Sequence, residues 1–235
     1  MTHFCFFRAP TIVCLLLIVA LAACGDSEAT QRKAFIEFLQ TRILAKPGVH
    51  VPRLTAEETA SFGPYAKHYA VIADFNAGLD EVVSKPMQQA LAAAPRSLDQ
   101  IAPRRKEIGE IKAGMAALRG ALDGQLATAE AARAALKQPD DLKPAFDGAF
   151  DRAVTQPAKA FAEIFPDVDD AIGAILAFAD FLNQNRDKIK IEGSMMRVND
   201  PSVQARAQSL IDAMRAKQQA VQKAQQRLRE VARGS

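Results

Sequence analysis

A cysteine at position 24 directly follows Leu21-Ala22-Ala23, and its neighbours place that thiol for one covalent reaction. Upstream lie Arg8 and an apolar run from Thr11 to Ala22; downstream the chain turns polar at Gly25-Asp26-Ser27-Glu28. A basic start, a short apolar middle and small residues before the cut describe a bacterial secretory signal peptide. Cysteine after Leu-Ala-Ala resembles a lipobox, where the thiol is diacylated, the chain is cut before the cysteine and the new amine is acylated. A retained transmembrane helix fits less well. A span needs about 20 apolar residues, and extending this one to Phe4 would draw Arg8 and Pro10 into the bilayer. Each buried methylene contributes about 0.8 kcal/mol, so one acyl chain holds weakly and two or three hold almost permanently. Gly25, rather than an aspartate, follows the cysteine, which favours the outer membrane over the inner one for a periplasm-facing lipoprotein.

The other reactive residue types form no comparable pattern. Cys5 and Cys14 leave with the leader and Cys24 becomes a thioether, so no thiol remains for a disulfide or a nucleophile. His50 and His68 have no second histidine or cysteine at metal-ligand spacing. Asp147 and Asp151 are four apart on an expected helix, and Asp140-Asp141 and Asp169-Asp170 are doublets. Paired carboxylates serve hydrolysis or calcium binding. These coincide with expected helix starts, where carboxylates complement the helix dipole. No phosphate-cradling glycine loop, nucleophile elbow or zinc-binding helix occurs. The expectation is therefore a protein that is not an enzyme, with no metal or cofactor. The net charge of +3 is spread through mixed-sign segments, not gathered into the basic stripe of a nucleic-acid binder.

The elements that carry these residues read as helices. Residues 31–45 bring Phe35, Ile36, Leu39 and Ile43 onto one face, with Phe38 at its margin, before Lys46-Pro47-Gly48. Thr55 and Glu58 have capping-box spacing, and Gly63-Pro64 restarts the chain. A stripe of Tyr65, Tyr69, Ile72, Leu79 and Val83 follows, with a break expected at Pro86. Shorter pieces are expected between Met87 and Ala102, and further breaks at Pro157 and Pro166.

Two long seams stand out. Residues 104–138 alternate three- and four-residue steps through Ile108, Ile111, Met115, Leu118 and Leu122, with Gln125 the polar exception. Such a helix is on the order of 50 Å long, and Gly109, Gly114, Gly120 and Gly124 would admit a close neighbour. A final helix from Asp200-Pro201 to about Arg233 has the same period, broken by Lys217. Between them, residues 167–185 are apolar on more than one face, as expected of a central helix. Residues 188–198 alternate polar and apolar around Gly193-Ser194 and read as a small β-hairpin. The fold class is all-α: an antiparallel helical bundle with two long helices and that hairpin. The seams would equally suit an intermolecular coiled coil; short connections favour the intramolecular pairing. Residues 1–23 are the signal peptide, 24–30 an acylated N-terminus and tether, and 31–235 one bundle domain.

Three blocks, Gln31–Gln40 (QRKAFIEFLQ), Leu54–Val71 (LTAEETASFGPYAKHYAV) and Ala135–Ala158 (ALKQPDDLKPAFDGAFDRAVTQPA), together with the lipobox and the length, resemble the YiaF-like bacterial lipoproteins. That is a domain family of unknown function, and the resemblance brings no site residues with it. The expected role is a non-catalytic envelope protein, held on the membrane by acylated Cys24 and binding another envelope component. A helical carrier for a lipid or small hydrophobic ligand, lined by Phe35, Phe38, Phe178 and Phe181, is the alternative. A hydrolase built on Asp147 and Asp151 comes third. The oligomeric state and the partner are not legible in the sequence.

Overall fold

A computed structural model describes residues 27–192 and 195–234. Leu21, Ala22, Ala23, Cys24 and the turn residues Gly193-Ser194 lie outside them. The first described helix, α1 (residues 27–38), is already formed at Ser27, four positions before the start read from the sequence. It continues through a π-helical turn, Leu39–Leu44. Phe35, Phe38, Leu39 and Ile43 are buried; Phe38, expected at the margin, is inside, and Ile36 is half-exposed. Past Gly48 (φ +68°) the chain meets its own C-terminal end, where Val49 N–H donates to the Ala232 carbonyl at 3.1 Å.

The expected capping box forms. Thr55 accepts from Glu58 N–H at 3.1 Å, Glu58 accepts from Thr55 N–H at 2.9 Å, and α2 runs from Ala56 to Phe62. A 3₁₀ turn at Gly63–Tyr65 leads into α3, Ala66–Leu79.

The break expected at Pro86 is absent. The rod passes from α3 through a π turn, Asp80–Ser84, into α4, Lys85–Ala92. Proline supplies no N–H and its ring crowds the carbonyl four residues back, so a wider turn just before it lets the helix continue. Pro157 repeats the solution: α6 (Lys143–Phe150), a π turn (Asp151–Thr155) and α7 (Gln156–Ala162) are continuous. Here the released carbonyl of Ala153 has a replacement donor. Asn76 of α3 gives its Nδ2 to that oxygen and to the Ile72 carbonyl, each at 2.9 Å. The break expected at Pro166 falls three residues earlier, at Glu163 between α7 and α8 (Ile164–Gln184). Pro166 itself lies in the first turn of α8, where an N–H would lack a helical partner anyway.

Between α4 and the long helix, Pro95 and Pro103 bracket a short 3₁₀ turn, Leu98–Gln100. The long helix α5 spans Arg105–Ala135, 31 residues, or about 46 Å. It buries Ile108, Met115, Leu122 and Ala129. Its glycines do not admit a neighbour as expected: a Cβ at Gly109, Gly114, Gly120 or Gly124 would meet nothing within 4 Å. The close approach is elsewhere, at Gly78 of α3, where a Cβ would stand 2.5 Å from Gln125 Oε1. That accounts for the one polar residue in the α5 seam.

Strands β1 (Ile189–Glu192) and β2 (Met195–Val198) pair antiparallel, with Ile189 opposite Val198. The final helix α9, Pro201–Arg233, is capped by Asp200, whose carboxylate accepts from the N–H groups of Ser202 (2.9 Å) and Val203 (3.3 Å). Helix α8 is central as expected, packing along both α5 and α9. The α9 seam rests on this bundle, with Leu210, Met214, Val221 and Leu228 partly buried against the core. The molecule is all-α with one small hairpin, and among the described residues no polar or charged residue is fully buried.

Candidate functional site at the N-terminal end of the bundle

The single modification site read from the sequence, Cys24, stands three positions before Ser27. Three residues span at most about 10 Å, so the place where α1 begins sets which end of the bundle an acyl anchor would hold. Glu58 near the start of α2 meets Arg42 at 3.6 Å, and Phe62 at its end meets Phe35 and Phe38 at 5.4 and 5.1 Å between ring centroids. Gly63 lies against Gln31, so α2 runs back along α1 towards its start. Tyr65 hydrogen-bonds Glu28, which starts α3 at the same end. Arg32 Nε meets Asp141 at 3.0 Å, bringing in the 136–142 connection and the start of α6. Arg32 also grips both oxygens of Glu28, at 3.0 and 3.1 Å. Burial, followed by the hydrogen bond to Glu28, pushes the Tyr65 phenol above its usual range. The first turns of α1 are thereby tied to two distant segments by one cluster: Glu28, Arg32, Tyr65 and Asp141. No local pattern announces it, since the contacts join positions 37 and more than 100 residues apart.

The other candidate chemistry is dispersed. Asp147 accepts from Arg133 at 2.8 and 3.1 Å, and the same guanidinium lies 4.8 Å from the Phe150 ring centroid. Asp151 instead accepts from Gln156 at 2.9 Å, so the two carboxylates share a helix but not a site. The doublets join helices more than they cap them. Asp169 pairs with Lys112 of α5 at 3.1 Å, Asp170 with Lys217 of α9 at 2.6 Å, and Asp141 with Arg32. Lys217, the interruption in the α9 seam, is thus an interhelical partner.

His50 is exposed in the loop after α1. His68 stands edge-on to Tyr65 (5.2 Å) and Phe146 (6.2 Å), with its Nδ1 buried and unpaired, and burial lowers its pKa below 6.5. Among the described residues no group of three or more His, Cys, Asp or Glu is placed to hold a metal ion. Also among them, no helix is long and apolar enough to cross a membrane.

Phe35, Phe38 and Phe178, the carrier lining read from the sequence, are buried in the core. Phe181 stacks on Phe178 at 6.3 Å. An apolar groove does exist, in a different place. It lies between α4 and α5, is open to solvent with a volume of about 520 Å³, and is lined by Pro86, Ala90, Ala93, Ile111 and Leu118, with Arg104, Glu107 and Glu110 also on its walls.

Residues 12–229 match the family model described as "Protein of unknown function (DUF3053)". That span includes the hairpin and nearly all of α9, which the three sequence blocks did not reach. Curated relatives are the "Uncharacterized protein YiaF" of Escherichia coli (strain K12) and that of Shigella flexneri, each 28% identical over 215 residues, covering 91% of both chains. No solved structure matches the chain.

Proposed function

The chain belongs to this family of proteins of unknown function, the YiaF-like proteins, and from that premise we propose that it is a lipid-anchored, non-catalytic protein of the cell envelope that faces the periplasm and binds another envelope component. The observation that carries the reading is the succession of Leu21-Ala22-Ala23-Cys24 and, three residues later, an ordered helix packed into the bundle. Two or three acyl chains on Cys24 would hold the domain without a spanning helix. Gly25 after the cysteine directs it to the outer membrane in preference to the inner one. The scattered, individually paired carboxylates support a binding role over hydrolysis.

Cys24→Ala tests the anchor: the variant loses lipid labelling and is either unprocessed or released from membranes. A variant that stays labelled and membrane-bound contradicts the proposal. In-cell crosslinking from several faces of the bundle tests the second half; no retained partner from any face removes the binding role.

The α4–α5 groove favours one second reading, a carrier of a lipid or small hydrophobic ligand. Native mass spectrometry of the purified protein distinguishes the two. Bound lipid displaced by Ala90→Phe supports the carrier, and an empty bundle removes it.

A further inference from the structure

The N-terminal end of the bundle carries more cationic side chains than its ion pairs use. Three segments converge there: residues 27–33, 63–67 and 136–143, joined by the Glu28–Arg32–Tyr65–Asp141 cluster. Arg32 is consumed by Glu28 and Asp141. Lys33, Lys67, Lys137 and Lys143 remain, all exposed and none ion-paired with a described residue, against one unpaired carboxylate, Asp140. Elsewhere Lys85, Lys106, Lys112, Lys188 and Lys217 are matched by carboxylates, while Lys46, Lys159, Lys190 and Lys223 are unpaired but lie outside these three segments.

We infer that this end is a membrane-apposed surface, on which Lys33, Lys67, Lys137 and Lys143 engage the phosphates of anionic lipid headgroups. The inference rests on the lipid-anchor reading and deepens it. An acylated Cys24 would hold Ser27 within about 10 Å of the headgroups, roughly one Debye length at 0.1 M salt, which brings the end of the bundle that carries the four lysines towards the surface potential. A lysine is a flexible point charge suited to mobile phosphates. The cluster fixes α1 against α3 and the 136–142 connection, so the four lysines are presented together. Anchor and charge then set one orientation, with the α8–β1 end and the hairpin pointing away from the bilayer.

Amine acetylation of the full processed protein tests this in two kinds of vesicle: phosphatidylcholine alone, and phosphatidylcholine with about 30% phosphatidylglycerol. Peptide mass spectrometry reads each lysine and the acyl state of Cys24 from the same sample. In the anionic vesicles, acetylation of Lys33, Lys67, Lys137 and Lys143 slows about fivefold relative to Lys106, Lys190 and Lys223, and high salt removes the protection. Inorganic phosphate at matching concentration does not reproduce it. Equal rates at all lysines in protein whose Cys24 is acylated overturn the apposed surface and leave the anchor standing. Protection by free phosphate overturns the lipid assignment. A Cys24 without lipid overturns the anchor, and the surface with it.

Discussion

At the scale of single residues, the side chains that repair a local defect matter most. Pro157 leaves the Ala153 carbonyl without its helical donor, and Asn76 supplies one from another helix. A buried acceptor left unpaired costs about 1–3 kcal/mol. Asn76→Ala is expected to lower unfolding stability by that order in urea titration. Pro157→Ala should recover part of the loss by restoring the N–H, so the two changes are non-additive. Gly48 is the second such position. Its φ is +68° and a Cβ there would stand 2.3 Å from the Ala232 carbonyl oxygen. Gly48→Ala should therefore destabilise by more than about 1 kcal/mol, seen as a lower thermal midpoint with unchanged helix content. Arg152, which donates to the carbonyls of Leu44 (2.5 Å) and Lys46 (2.8 Å), does the same work at the end of α1.

Elements carry the next level, and here the sequence was legible wherever a signal is local. The capping box at Thr55, the Asp200-Pro201 start and the apolar faces of α5, α8 and α9 were read correctly, because each depends on residues within a few positions. The stops at Pro47, Pro95, Pro103 and Pro139 were also read correctly. The breaks expected at Pro86 and Pro157 were not, because whether a proline ends a helix depends on the turn before it and on what its released carbonyl finds. At Pro157 that partner comes from another helix. The α5 glycines failed for a related reason: small size permits close packing but does not place a neighbour. The His68 environment is equally non-local, and it has a measurable consequence. Burial holds its pKa below 6.5, so below that pH the unfolded chain binds the proton more readily than the folded one. Stability should fall as pH drops below about 6.5, and His68→Gln should flatten that limb, measured by chemical denaturation across the range. A limb unchanged in His68→Gln would contradict this assignment.

For the whole molecule, α8 ties the bundle together through its acidic residues. Asp180 meets Arg105 (2.5 and 3.2 Å), Asp169 meets Lys112 and Asp170 meets Lys217. Hydrogen bonds from their cationic partners hold Asp170 and Asp180 below the usual carboxylate range. Bonds from Ser202, Lys188 and the α9 backbone do the same for Asp200. Groups with depressed folded values stabilise above their unfolded pKa near 3.8 and lose that contribution as pH falls towards the folded value. A second acid limb below about pH 4 should follow, and Asp200→Asn should shrink it without touching the His68 limb. Each exposed pair is screened by solvent and contributes little alone, so the set fixes helix register more than overall stability. The candidate site divides in the same way as the elements. Its proposed covalent part, Leu21 to Cys24, is a contiguous motif that can be read from the sequence and lies outside the described residues. Its lysines and the Glu28–Arg32–Tyr65–Asp141 cluster cannot be read in that way, because only the fold brings the three segments to one end.

The central claim is that Cys24 anchors this bundle, and the mass of the mature N-terminal peptide from the membrane fraction tests it most directly. The predicted result is a chain beginning at Cys24 whose cysteine carries a thioether-linked diacylglyceryl group. A mature chain that begins elsewhere, or a Cys24 with a free thiol, would contradict it.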